Sequence, residues 1–379
     1  MKIEINRDDL VYAVSAVERA VSTKNTIPAL GGVLISAAAD RISFRATDLE
    51  LAMECVVPGR VLEAGEAVTS GRRFSAIVRL LPAGDVTLSG DALHLELEYA
   101  GGHQALPCLP AEEFPLLPSA EGELQGTIPV REFRRLVRQA GIAAAADEVR
   151  PIFSGILTEF APGEITMVAT DTHRLTKATG AWQGSGEGRL LIPCRTLQEV
   201  ARLAVNEDDN VIITGGKSQV FFSFANLTFT SRLIMGQFPN YKDVIPADDS
   251  FSIYMFVNRI QLSQALERAS LVSRETGRGR GSVVRFEVGD CSLTISAEVP
   301  DEGTIREQVA CTTGGGELTV NFNARYLLDM LKAVDEDMIE MRLSGPASPC
   351  VLLPDMSKNE DGSAGSYLYL LLPVRVNNR

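Results

Sequence analysis

Histidine, tryptophan and paired cysteines are scarce in this chain: 379 residues hold three histidines, one tryptophan and six cysteines. The histidines, at 94, 103 and 173, are too few and too scattered for a metal cluster or a histidine-dependent nucleophile, so no metal, no cofactor and no catalytic residue are expected. The cysteines, at 55, 108, 194, 291, 311 and 350, include no Cys-x-x-Cys pair, which predicts buried free thiols rather than a zinc site or a disulfide framework. Long apolar runs are missing too. The most apolar stretch, 367–374, falls far short of the ~18 residues a membrane span needs, and the N-terminus is charged from Lys2 with no apolar leader. A cytoplasmic protein with no membrane partner is the expectation.

What the chain has in abundance is repetition. Hydrophobic content of 45% with 22% charged residues suits ordinary globular cores, and the length suggests roughly two to four domains. Ala46-Thr47-Asp48 recurs as Ala169-Thr170-Asp171, and only the second copy carries His173-Arg174. Leu10, Val14 and Val17 fall at helical spacing, as do Phe133, Val137 and Ala140, and again Leu262, Leu266 and Ala269. A second helix is expected in each copy, over 74–81, 197–205 and 326–334. Alternating strands fill the intervals. In the third copy Ser296-Ala297-Glu298 stands as the counterpart of Ala-Thr-Asp. The chain therefore reads as one α+β unit used three times, over 1–122, 123–250 and 251–379, with proline-rich joints at 109–118 and 238–246.

Net charge is −13, yet the helical segments are basic: 72–80 and 257–280 each carry +3, so the remainder is more acidic than the total. Basic helices attract a phosphate backbone without reading bases. Phosphate-loop mimicry at Gly215-Gly216-Lys217-Ser218 fails, because Val211 stands where the loop needs glycine and Phe221–Phe224 continues as strand; a hairpin turn is expected. Gly184-x-Gly186-x-Gly188 reads as a loop.

Over its whole length the sequence resembles the bacterial sliding clamps, the β subunits of the replicative DNA polymerase. The residues that carry the resemblance are Ala46-Thr47-Asp48-Leu49-Glu50, Thr170-Asp171-x-His173-Arg174-Leu175, Phe238-Pro239-Asn240-Tyr241, 322–329 and Leu372-Pro373-Val374-Arg375. The resemblance implies three clamp-type domains and a head-to-tail homodimeric ring around double-stranded DNA, held without sequence preference. The ring would be a processivity factor in DNA replication, binding polymerase, clamp loader and other clamp-binding-motif proteins. A non-encircling electrostatic scaffold is the alternative reading.

Residue by residue, the resemblance implies a partner-peptide pocket at Phe153, Thr170, Thr172, His173, Arg174, Leu175, Pro239, Val244, Pro349, Leu370, Leu371, Leu372, Pro373, Val374 and Arg375. Leu175, Val244, Leu371 and Val374 would form its floor, and His173 and Arg174 its polar rim. Thr172 stands where glycine is frequent and Asp243 where arginine is, and 377–379 runs past the usual end. DNA contacts are expected from Lys24, Arg72, Arg73, Arg79, Arg135, Arg138, Arg150, Arg195, Arg202 and Arg274. The dimer contact is expected to place Ile77 and Leu81 against Leu271, and to pair the strand at 103–108, with His103 and Leu106, with 292–298.

Overall fold

The computed structural model describes residues 1–22, 27–39, 41–91, 93–146, 150–272, 282–299, 303–355 and 365–375. Lys24, Arg274 and the 377–379 extension lie outside them. The chain forms two compact units: Met1–Arg131 with Gly184–Gly186 and Glu199–Leu233, and Glu132–Gln183 with Glu187–Gln198 and Ile234–Arg379.

Six α-helices fall at the six expected places: α1 (Arg7–Val17), α2 (Gly71–Val78), α3 (Val130–Gly141), α4 (Cys194–Leu203), α5 (Arg259–Val272) and α6 (Ala324–Ala333). Helix α1 starts where the Asn6 side chain accepts the Asp8 amide, with Asp8 and Asp9 complementing the helix dipole. It ends early. Val21, at the next helical spacing after Val17, lies beyond a 3₁₀ turn at Glu18–Ala20, though still buried. Leu10, Val14, Val17, Phe133, Val137, Ala140, Leu262, Leu266 and Ala269 are all buried, so the 3.6-residue periodicity marks the core faces. Helix α1 packs on α2 and on the strands Arg41–Thr47 and Leu51–Val57; α5 packs on α6 and on Ser292–Val299 and Gly303–Gly314.

Strand pairing shows the repeat more sharply than sequence does. The strand leading into the first helix of each copy pairs antiparallel with the strand after the second helix, putting Ile5 opposite Val86, Ile128 opposite Val211 and Val257 opposite Ile339. The next hairpins pair Ala46 with Met53, Ala169 with Thr176 and Ala297 with Ile305. That register corrects the expected counterpart of Ala-Thr-Asp in the third copy: it is Ala297-Glu298-Val299, one residue later than sequence spacing placed it.

Copies join edge to edge. Leu227–Arg232 adds antiparallel to Leu51–Val57, with Phe229 opposite Met53, in a fourteen-stranded sheet. Tyr367–Leu371 adds in the same way to Arg174–Ala181, with Tyr369 opposite Thr176, in a twelve-stranded sheet. Besides the strands that end each sheet, two inner strands are paired along only part of one side among the described residues. Gly102–Leu109 is paired by His94–Tyr99 on one side, but on the other only Cys108 and Leu109 find partners. Gly303–Gly314 is paired along 303–310 on one side, while its other side is taken only at 311–314. Ser292–Val299, expected as an edge, is interior, with neighbours on both sides. Its place as the open strand falls to 303–310.

Gly215-Gly216-Lys217-Ser218 is indeed a hairpin turn, closed by the Gly216 amide on the Gln219 carbonyl at 2.9 Å. Of the cysteines, Cys55, Cys194 and Cys350 are buried as expected; Cys291 is exposed, because it sits at a hairpin end with φ +54°.

Candidate functional site

Two of the expected pocket residues, Leu175 and Leu370, sit in one hydrophobic cluster of the second unit. Leu175 and Leu370 face each other across the antiparallel pair and pack with Leu157, Val168, Leu191, Tyr241, Phe251 and Val351. Ile152, Ile234, Phe238 and Ile245 cover the cluster from the partly buried side. The Phe238-Pro239-Asn240-Tyr241 joint delivers Tyr241 through a 3₁₀ turn, Tyr241–Asp243. The Tyr241 hydroxyl donates to Glu159 Oε2 at 2.7 Å, and burial together with that carboxylate pushes its pKa well up.

The rim is a tight turn. Thr170 Oγ1 donates to the Arg174 carbonyl at 2.7 Å and accepts the Thr172 amide at 3.2 Å, while Asp171 Oδ1 accepts the amides of His173 and Arg174. Thr172 carries φ +77°, the left-handed region in which a Cβ costs roughly 1–2 kcal/mol, which is why glycine suits the position. His173 is exposed and lies parallel to the Tyr326 ring, centroids 6.4 Å apart.

Arg174 is not the rim group that sequence suggested. It is 9% exposed, bonded to Asp171 at 2.9 Å and Asp329 at 2.7 Å, and stacked 4.2 Å above Tyr326. Burial works against its charge, but Tyr369, Asp329 and Asp171 outweigh it and raise the pKa further. The residue is a strut that ties the strand to α6. Leu371 is likewise misplaced in the floor: it pairs with Arg174, on the face opposite Leu175 and Leu370, and is fully buried outside the cluster. The cause is the pleat, since neighbouring residues on a strand point to opposite faces.

The other expected residues take distinct places. Phe153 is 9% exposed under the Arg150 guanidinium, 5.2 Å from its ring centroid. Val244 is 48% exposed and outside the buried cluster. Pro239 is exposed and Pro349 half-buried. Leu372 donates its amide to the His173 carbonyl at 3.0 Å, and Val374 to the Asn321 carbonyl at 2.8 Å, so Leu372-Pro373-Val374-Arg375 is pinned past the strand end. Asp243 accepts from the Asn240 side chain at 2.7 Å. Sequence reasoning missed Tyr241, Phe251, Val351 and Tyr326. Tyr241 and Tyr326 stood inside quoted motifs, and only their neighbours were carried over.

The basic residues sort into tethered and untethered. Arg135 bonds Glu132, Gln139 and the Thr179 carbonyl, so its guanidinium is spent holding α3 to the strand Arg174–Ala181 rather than left for phosphate. Arg138 forms a forked pair with Asp335, and Arg79 bonds Glu18 at 2.7 Å. Arg72, Arg73 and Arg202 are exposed and enter no ion pair among the described residues; Arg150 and Arg195 are exposed as well. Of the residues expected at the dimer contact, Leu81 is buried at 6% and Ile77 half-buried, while the neighbouring Leu80 is 86% exposed. Leu271 is 61% exposed, His103 is exposed and Leu106 is buried. Among the described residues no group of three His, Cys, Asp or Glu could hold a metal ion.

This architecture is shared. Residues 1–118, 127–240 and 242–364 match the N-terminal, central and C-terminal domains of the DNA polymerase III beta subunit. The beta sliding clamps of Staphylococcus epidermidis and Staphylococcus aureus are each 29% identical over 387 residues, spanning 99% of this chain and 100% of theirs. Among solved structures, the Bacillus subtilis DNA polymerase sliding clamp superposes with a TM-score of 0.92 at 29% identity, covering all of both chains. The Pseudomonas aeruginosa clamp bound to griselimycin gives 0.90 at 27% identity, over 99% of this chain and 100% of that one. With all three domains matched in order along the chain, it belongs to the DNA polymerase III beta subunit family, the bacterial sliding clamps.

Proposed function

We propose that this DNA polymerase processivity factor acts as a closed ring of two copies, slides on duplex DNA, and tethers its partners through the Leu175–Leu370 pocket. One observation carries the closure: the second and third copies each donate their last strand to the fourth strand of the copy before, and the strands that would continue this rule, 303–310 and 102–106, are vacant on the corresponding side. The same rule supplies the register between two molecules. Met53 and Thr176 correspond to Ile305; Phe229 and Tyr369 correspond to Gln104. Ile305 of one molecule then faces Gln104 of the next, and Thr304 faces Ala105. Joining head to tail satisfies the open backbone groups, and a ring of such contacts leaves neither edge vacant; two copies is the number the family resemblance implies.

Retention by encirclement reconciles a net charge of −13 with a nucleic-acid partner. Each phosphate contact can then be weak, and weak contacts permit sliding. Arg72, Arg73, Arg150, Arg195 and Arg202 are the contacts we assign; Lys24 and Arg274 lie outside the described residues and stay assigned by resemblance. The pocket suits an extended peptide with one or two buried apolar side chains, the kind of tail a polymerase or clamp loader can present. A griselimycin-bound clamp among the structural relatives supports ligand binding in this family. We divide the domains at 1–122, 123–250 and 251–379, place the protein in the cytoplasm, and assign it no catalysis. No helix among the described residues is long and apolar enough to cross a membrane.

Register-specific crosslinking tests the closure. Cysteines at Ala105→Cys and Thr304→Cys, in a Cys291→Ser background, should form intermolecular disulfides under mild oxidation and give a covalent dimer. Failure to crosslink, with crosslinking at another register instead, would overturn the assignment.

A further inference from the structure

The turn that rims the peptide pocket occurs twice. In the first unit Thr47 Oγ1 donates to the Leu51 carbonyl at 3.0 Å and accepts the Leu49 amide at 3.0 Å, and Asp48 Oδ1 accepts the amides of Glu50 and Leu51. These are the bonds of the Thr170–Arg174 turn, atom for atom. Leu49 carries φ +75° where Thr172 carries +77°. The Arg232 amide donates to the Glu50 carbonyl at 2.9 Å, as the Leu372 amide does to the His173 carbonyl. Phe114-Pro115 enters a cluster with Leu34 and Val68, whose register counterparts Leu157 and Leu191 belong to the larger cluster reached by Phe238 and Tyr241.

Between this turn and the Pro115–Pro118 joint lies a small, half-open cleft of ≈ 130 Å³, room for one side chain of an extended segment laid across it. Leu49 at 44% exposure, Leu116 at 99% and Leu117 offer apolar surface, and Pro115 and Pro118 fix the backbone so that little freedom is lost on binding. The polar groups differ from those of the other pocket. Glu50 stands where His173 stands there, and Arg232 replaces Leu372. The Arg232 side chain is exposed and forms no ion pair among the described residues.

We propose that this cleft is a second peptide-binding site, selective for an extended segment in which bulky aliphatic side chains flank a single carboxylate. The aliphatic groups seat against Leu49, Leu116 and Leu117, and the carboxylate meets the Arg232 guanidinium. Glu50, one cross-strand step away, repels a second acid and fixes the direction of the chain. The proposal rests on the reading of the Leu175–Leu370 pocket as a peptide site, from which it inherits the turn; its ligand chemistry comes from Arg232 and Glu50.

Methyl NMR on the full-length, leucine-labelled protein tests it, with acetyl-Leu-Asp-Leu-Leu-amide as the added peptide. The Leu49, Leu116 and Leu117 methyl signals should shift, and should still shift when Leu372→Asp blocks the other pocket. Arg232→Glu should weaken that response about tenfold and transfer the preference to acetyl-Leu-Lys-Leu-Leu-amide. Shifts confined to Leu370 and Leu372 would overturn the second site and leave the first standing; shifts at neither set would overturn both. Binding indifferent to Arg232→Glu would overturn the assigned chemistry.

Discussion

Arg174 and Asp329, 155 residues apart in sequence, meet at 2.7 Å beneath the Tyr326 ring and join a strand of the second repeat to a helix of the third. The bond explains why a residue beside the peptide pocket is itself closed to solvent. Its role is to hold the turn that presents His173.

Removing that strut leaves two carboxylates, Asp171 and Asp329, without their cation in a half-buried site. Arg174→Ala should lower stability by about 3 kcal/mol, whereas exposed His173→Ala should cost under about 0.5 kcal/mol. Urea unfolding of both variants checks the contrast; equal, small losses would show that Arg174 is a surface group after all.

The two faces of the strand Tyr367–Leu371 separate binding from stability. Leu370→Ala should weaken binding of a pocket peptide by tenfold or more, besides costing about 2–5 kcal/mol of stability. Leu371→Ala should cost a similar amount of stability and leave peptide affinity within about twofold. Fluorescence anisotropy with a labelled peptide on the folded variants distinguishes them. Equal losses of affinity would return Leu371 to the pocket.

At the vacant edge, the Ala105 amide points away from its strand neighbour, because Cys108, three residues on, donates toward it. Ala105→Pro removes that outward donor while costing the isolated chain no ladder bond. Sedimentation should show monomers at concentrations where the unmodified protein is dimeric, with the thermal transition of the monomer largely kept. Dimers as strong as before would place the contact elsewhere.

Burial pushes the Cys55 and Cys194 thiols up to about 12, and Cys350 higher. With folded values above the unfolded ~8.5, the stabilisation these thiols contribute is complete below pH ~8.5 and is lost as pH rises toward the folded values. Stability should therefore fall above pH ~8.5, and alkylation at neutral pH should modify exposed Cys291 well before these three. Rapid labelling of Cys55 would contradict the packing.

Much of this was legible in the sequence, for physical reasons. Leu10, Phe133 and Leu262 mark core faces because helical periodicity reports burial directly. The turn motifs were legible because Thr170 and Asp171 act through bonds to their own backbone. What spacing could not supply was strand register. Spacing alone puts the third copy one residue off at Ala297 and makes 292–298 an edge, because pairing depends on partners far along the chain. Side-chain direction is equally hidden: nothing in the spacing of Arg135 reveals that Glu132 and the Thr179 carbonyl surround its guanidinium.

The central claim is encirclement, and the most direct measurement is retention on DNA with and without ends. The protein is loaded onto nicked circular DNA by its clamp loader with ATP, washed in high salt, and the circle is then cut once. The account predicts that protein survives the wash and leaves only after the cut. Loss in the wash from intact circles, or retention after cutting, would contradict it.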